Sequence, residues 1–125
     1  MEFIIIDDST FDLFTQEKLL LKSGLARTVT AFNSAQTAIE FLRKRVNTLP
    51  ETVMLLDIQM PGINGFEFAD RYAELPDSLR KRIRLFMISS TVDIEDIEQV
   101  KSNPNVIELL SKPLEIPVLR ALLGH

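Results

Sequence analysis

The chain has 125 residues, 46% of them hydrophobic, which fits one ordinary domain able to bury a sizeable core. Its 14 Lys and Arg against 18 Asp and Glu leave a net charge of −4, so direct nucleic-acid binding is not expected. The absence of cysteine excludes a disulfide scaffold, a thiolate zinc site and a cysteine nucleophile. The one histidine, His125, is the last residue and a poor place for a catalytic base.

Phe3 to Ile6 is a short apolar run of the kind buried on both faces of a sheet. It ends at Asp7-Asp8. A helix follows, capped by Ser9 or Thr10, with Phe11, Phe14 and Leu19 to Leu21 as its apolar surface and Gly24 as its stop. Thr28 to Phe32 reads as a second strand. Asn33 or Ser34 caps a second helix, whose Ala35, Ala38, Ile39, Leu42 and Val46 form a core-facing stripe. Val53 to Leu56 is a third strand, ending at Asp57. After the loop Met60-Pro61-Gly62-Ile63-Asn64-Gly65, a third helix carries Phe66, Ala69, Tyr72 and Ala73 on one face. Tyr72 is expected half-buried, with its hydroxyl at the surface. Pro76 ends that helix, and Arg80 to Arg84 read as a solvated basic connector. Leu85 to Ile88 is a fourth strand, followed by Ser89, Ser90 and Thr91. A weaker helix from Asp93 carries Ile94, Ile97 and Val100. Val106 to Leu110 is a fifth strand, then Ser111-Lys112-Pro113 and a last helix with Ile116, Leu119 and Leu123. Met54, Met60 and Met87 read as core or loop anchors.

Strand and helix thus alternate five times, which implies a doubly wound parallel α/β sheet with helices on both faces. Ligands of such sheets sit at the carboxyl ends of the strands. Here those ends carry Asp7 and Asp8, Asp57, Ser89 and Ser90, and Lys112. Three carboxylates in one place repel each other, and a hard divalent ion such as Mg²⁺ or Mn²⁺ resolves the repulsion. A cation, a Lys and a hydroxyl together outline a phosphoryl site, with a carboxylate as the attacking group because Cys is absent and the one His is terminal.

In order along the chain, Asp7-Asp8, Asp57 with its loop through Gly65, Ser89-Ser90 and Lys112-Pro113 resemble the motifs of a response-regulator receiver domain of two-component signalling. The resemblance runs from Phe3 to about Leu123. It implies a flavodoxin-like sheet in the order 2-1-3-4-5 with five helices, as a single receiver domain over residues 1–125. Asp57 would be the phospho-acceptor. Asp8 would bind Mg²⁺ directly, with Asp7 assisting, directly or through water, and the Gln59 backbone carbonyl adding an oxygen. Ser89 and Lys112 would each meet a phosphoryl oxygen. Pro113 would follow Lys112 in a cis peptide that aims the Lys, and Gly65 would let the third helix start close to the loop.

The phosphodonor would be a phosphohistidine of a histidine kinase or phosphotransfer protein, and the output an unidentified downstream protein. The departures are Asn64, Ser89 and Ser90 at positions where the family favours Asp, Thr and Ala, and Leu109 where many members carry Tyr or Phe. Without a ring at Leu109, output coupling is expected to differ. Gln59 and Thr91 flank the site and are expected to tune dephosphorylation through water access. Two other readings compete: a Mg²⁺-dependent phosphatase with an aspartyl nucleophile, and a degenerate receiver that only docks. Each motif taken singly also has an ordinary explanation, such as a helix cap, a turn or a solvated Lys. With no apolar run near the ~20 residues of a membrane span and no signal-like leader, no membrane contact and a cytoplasmic location are expected.

Overall fold

The computed structural model describes residues 1–60, 62–91 and 93–124; Pro61 of the loop motif and His125 lie outside the described residues. In chain order the elements are β1 (Glu2–Ile6), α1 (Thr10–Lys22), β2 (Thr28–Phe32), α2 (Ala35–Lys44), β3 (Thr52–Asp57), α3 (Gly65–Tyr72), α4 (Asp77–Arg80), β4 (Ile83–Ser89), α5 (Ile94–Lys101), β5 (Val106–Ser111) and α6 (Ile116–Leu123). The five strands pair in the order β2-β1-β3-β4-β5. Every pairing is parallel. This is the flavodoxin-like fold.

Alternation along the central strands divides the core in two, because successive side chains point to opposite faces. Ile4, Ile6, Met54, Leu56, Leu85 and Met87 pack against α2, α3 and Val100 of α5. Phe3, Ile5, Val53, Leu55, Phe86 and Ile88 pack against Leu13 and Leu20 of α1 and Leu119 and Leu123 of α6. All six residues of β3 are buried, while edge strand β2 is largely exposed. The α2 stripe is buried through Ala35, Ala38, Ile39 and Leu42, and Ser34 is its cap, accepting from the Thr37 N–H. Gly24, at φ +81°, takes the left-handed conformation that stops α1. Among the described residues no helix is long and apolar enough to cross a membrane.

Several expectations need correction. Six helices are described where five were expected, since Asp77–Arg80 forms one turn anchored by buried Leu79. The basic connector is not merely solvated. Arg80 donates to the Leu75 carbonyl (2.9 Å) and to Asn105 Oδ1 (3.0 Å) and pairs with Asp77. Arg82 donates to the Val46 and Leu49 carbonyls and to Ser78 O (3.0 Å). Tyr72 is fully buried at 1% exposure, and burial pushes its phenol up to about 12. The buried face of α3 is Gly65, Phe68, Ala69 and Tyr72; Phe66 is half-buried and Ala73 exposed. On α1 the core side is Leu13, Gln16 and Leu20, whereas Phe11 and Phe14 point to solvent. Of the apolar residues expected to anchor α5, only Val100 is buried.

Candidate functional site

The parallel register brings the strand ends to one edge, and backbone hydrogen bonds carry the ladder past them. The Asp7 N–H donates to Phe32 O (3.1 Å), Ile58 N–H to Ile88 O (3.1 Å) and Lys112 N–H to Ser89 O (2.9 Å). The residues that begin each loop are therefore still fixed by the sheet, which gives their side chains a rigid base.

On that base Asp7, Asp8 and Asp57 each offer a carboxylate oxygen within 4.8 Å of the others. Asp7 and Asp57 are buried and Asp8 is exposed, so the cluster opens to water through Asp8. Asp7 Oδ1 accepts from the Ser9 N–H (2.9 Å), and its Oδ2 accepts from Gln16 Nε2 (3.4 Å). Asp57 Oδ1 accepts from the Gln59 N–H (3.2 Å). Lys112 reaches in from the end of β5, with Nζ 2.7 Å from Asp7 Oδ2, 3.0 Å from Asp12 Oδ2 and 3.6 Å from Asp57 Oδ2. The Lys112-Pro113 bond is cis.

Burial raises the Asp57 carboxyl, the nearby Asp7 charge raises it further, and Lys112 and the Gln59 N–H pull it back; the outcome is about 6. Burial of Lys112 works to lower its ammonium, but hydrogen bonds to Asp7 and Asp12 and the charges of Asp57 and Asp7 outweigh it and push the group up. The site thus holds a firmly protonated Lys and a surplus of crowded carboxylates. An all-oxygen donor set under mutual repulsion suits a hard divalent cation.

The remaining expected residues are spread along the rim. Ser89 is buried at the end of β4; its hydroxyl donates to Thr91 O (2.7 Å) and accepts from the Thr91 N–H (3.2 Å). Ser90, Thr91, Gln59 and Pro113 are exposed. Leu109 pairs with Met87 across β4 and β5 and packs, partly buried, on the α2/α3 side of the sheet, below the site. Gly65 is needed where α3 approaches the loop, since a Cβ there would lie 2.7 Å from Ile58 Cα and 2.9 Å from Asp57 O. A cleft of about 500 Å³ beside Asp57 is lined by Ile58, Gln59, Met60, Asn64, Phe66, Asp93, Asp96 and Gln99.

Two site residues were not foreseen. Gln16 is buried against Asp7, and its signal in sequence was a polar side chain on the core stripe of α1. Asp12 meets Lys112 from 100 positions away; as an acid in the first turn of a helix it looked like ordinary dipole chemistry.

The model of the response regulator receiver domain matches residues 3–124. The response regulator receiver protein of Dyadobacter fermentans is 66% identical, with a TM-score of 0.95 over 99% of this chain and 95% of that one. The Fimbriae Z protein of Salmonella typhimurium is 32% identical over 87 residues, 70% of this chain and 38% of its own length. The receiver domain of a histidine kinase from Arabidopsis thaliana, complexed with Mg²⁺, shares the fold at 21% identity and a TM-score of 0.80, over 97% of this chain and 90% of that one. Against five curated relatives, this chain spans 16% to 50% of their length.

Proposed function

This chain belongs to the response regulator receiver family, and from that premise we propose that Asp57 accepts a phosphoryl group in a Mg²⁺-dependent reaction and so switches a partner-binding surface. The observation that carries the reading is the pairing of a buried, crowded carboxylate with one shared ammonium at the strand ends. With its pKa at about 6, Asp57 is mostly ionised at neutral pH and available as a nucleophile. An Asp57 oxygen attacks phosphorus of a phosphohistidine on a kinase or phosphotransfer protein. The P–N bond breaks as the new O–P bond forms, and the imidazole leaves with the bond pair and takes a proton from water.

Asp8, Asp7, Asp57 and the Gln59 backbone carbonyl would hold the cation. Bound there, Mg²⁺ would offset negative charge on the transferring group and on the carboxylates. A receiver domain of the same fold from Arabidopsis thaliana is complexed with Mg²⁺, which favours a cation of that kind for this cluster. Lys112 supplies the fixed positive charge on the other side. Ser89 donates a hydrogen bond once its hydroxyl turns from Thr91 O toward the phosphoryl group. Leu109 has no ring to swing, so the change reaches the surface through Ser89, Ser90 and Thr91 and the α5 helix that follows.

Intact-mass measurement after incubation with acetyl phosphate tests the reading. One added phosphoryl group that requires Mg²⁺ and is lost in Asp57→Asn is expected. No adduct in wild type under any divalent condition would overturn it.

A further inference from the structure

The Lys112 ammonium has three N–H donors. Two are engaged by Asp7 Oδ2 at 2.7 Å and Asp12 Oδ2 at 3.0 Å. Asp57 Oδ2, at 3.6 Å, is beyond hydrogen-bond distance and receives the charge alone. At rest, therefore, Lys112 is bonded to the two carboxylates that are not the proposed acceptor. Of these, Asp7 is the more tightly held, with 1% of its side chain exposed and bonds from the Ser9 N–H and Gln16. Asp12 is different. It sits in the first turn of α1, its side chain is 35% exposed, and among the described residues its side chain pairs with Lys112. Its backbone N–H is already satisfied by Ser9 Oγ (3.2 Å), so the carboxylate is not needed to cap the helix.

We propose that Asp12 is a positioning residue that competes with the phosphorylated acceptor for Lys112, and so sets how readily the site takes up and keeps a phosphoryl group. This rests on the phosphoryl-acceptor reading of Asp57. A phosphoryl group on Asp57 presents new anionic oxygens to the same ammonium. The third donor of Lys112 can meet one of them; a second such bond is made at the expense of Asp12, the more exposed and less tied of its two partners. The Asp12 charge also opposes the incoming anion directly. Both effects have the same sign, so the carboxylate favours the unphosphorylated state. Removing it does not strand Lys112, since the closer bond to Asp7 still holds the ammonium in the site.

Beryllium fluoride, a phosphoryl mimic, provides the test, titrated at saturating Mg²⁺ so that any change in cation affinity drops out. Asp12→Asn keeps the shape and loses the charge; it is expected to bind the mimic roughly three- to ten-fold more tightly than wild type. Asp12→Glu keeps the charge and is expected to return to the wild-type affinity, which a merely structural role would not produce. The gap between wild type and Asp12→Asn is expected to narrow in high salt, since the Asp12 side chain is partly exposed. Equal or weaker binding by Asp12→Asn, where wild type binds, would overturn the role of Asp12 alone. No binding by wild type, together with no phosphoryl adduct, would overturn the acceptor reading and this proposal with it.

Discussion

The two ends of the sheet handle charge in opposite ways. At the amino end, Arg80, Arg82 and Arg84 donate to backbone carbonyls of Leu75, Val46, Leu49, Ser78 and Leu123. These guanidiniums tie neighbouring segments together, and apart from the exposed Asp77 carboxylate beside Arg80 their acceptors are neutral groups that have no other state. At the carboxyl end, one ammonium faces Asp7, Asp12 and Asp57, with Asp8 beside them. Those carboxylates outnumber the cation, so under the proposed function the region is expected to respond to a divalent ion or an anion. Static cross-links and a poised site are both made from charged side chains; the difference is whether the charges rest mainly on fixed neutral partners or face one another.

The contrast breaks most visibly at Lys112. Replacing it by Met leaves buried carboxylates unpaired, and a cost of about 3–5 kcal/mol is expected in Mg²⁺-free buffer at pH 8. Urea unfolding with and without millimolar Mg²⁺ checks this, and the cation is expected to restore most of the loss. Asp57→Asn should act in the opposite direction. A carboxyl raised from 3.8 to about 6 on folding contributes stability while protonated, and loses that contribution as pH rises through about 6. Wild type therefore carries a burden above pH 6 that the variant lacks. Asp57→Asn is expected to be more stable by up to about 3 kcal/mol at pH 8 without divalent ions, and the gain should fade as pH drops below 6 and when Mg²⁺ is added. Thermal midpoints across pH 4 to 8 read this directly.

The amino end should show neither dependence. Arg82→Ala removes the donors to Val46 O, Leu49 O and Ser78 O, and about 2 kcal/mol is expected to be lost. That loss should be the same with and without Mg²⁺, and phosphoryl uptake should be unchanged. Smallest is Asp77→Ala, at the exposed pair with Arg80. Less than about 0.5 kcal/mol is expected in the same unfolding assay.

The same contrast governs what the sequence disclosed. The buried strands were legible because their apolar runs leave no other reading, and each run ends at a polar residue that marks the strand end. Asp7, Asp8, Asp57, Ser89 and Lys112 followed from that placement. The arginine end was misread because its acceptors are backbone carbonyls, which every residue possesses and no sequence pattern marks. Helix α4 is a single turn, too short for periodicity to reveal. Phe11 and Phe14 were counted as apolar surface by residue type, while the phase of α1 is fixed by Leu13, Gln16 and Leu20. Asp12 escaped notice because its meaning depends on Lys112, which only the sheet register brings to it.

The central claim is that the carboxyl end is chemically poised at one carboxylate, Asp57. Reduction of the acetyl-phosphate-treated protein with borohydride, which converts an acyl phosphate to an alcohol, locates that carboxylate by peptide mass mapping. The reduced residue is expected at position 57, only in samples that contained Mg²⁺. Reduction at position 7, 8 or 12 instead, or the same yield in Asp57→Asn, would contradict the account.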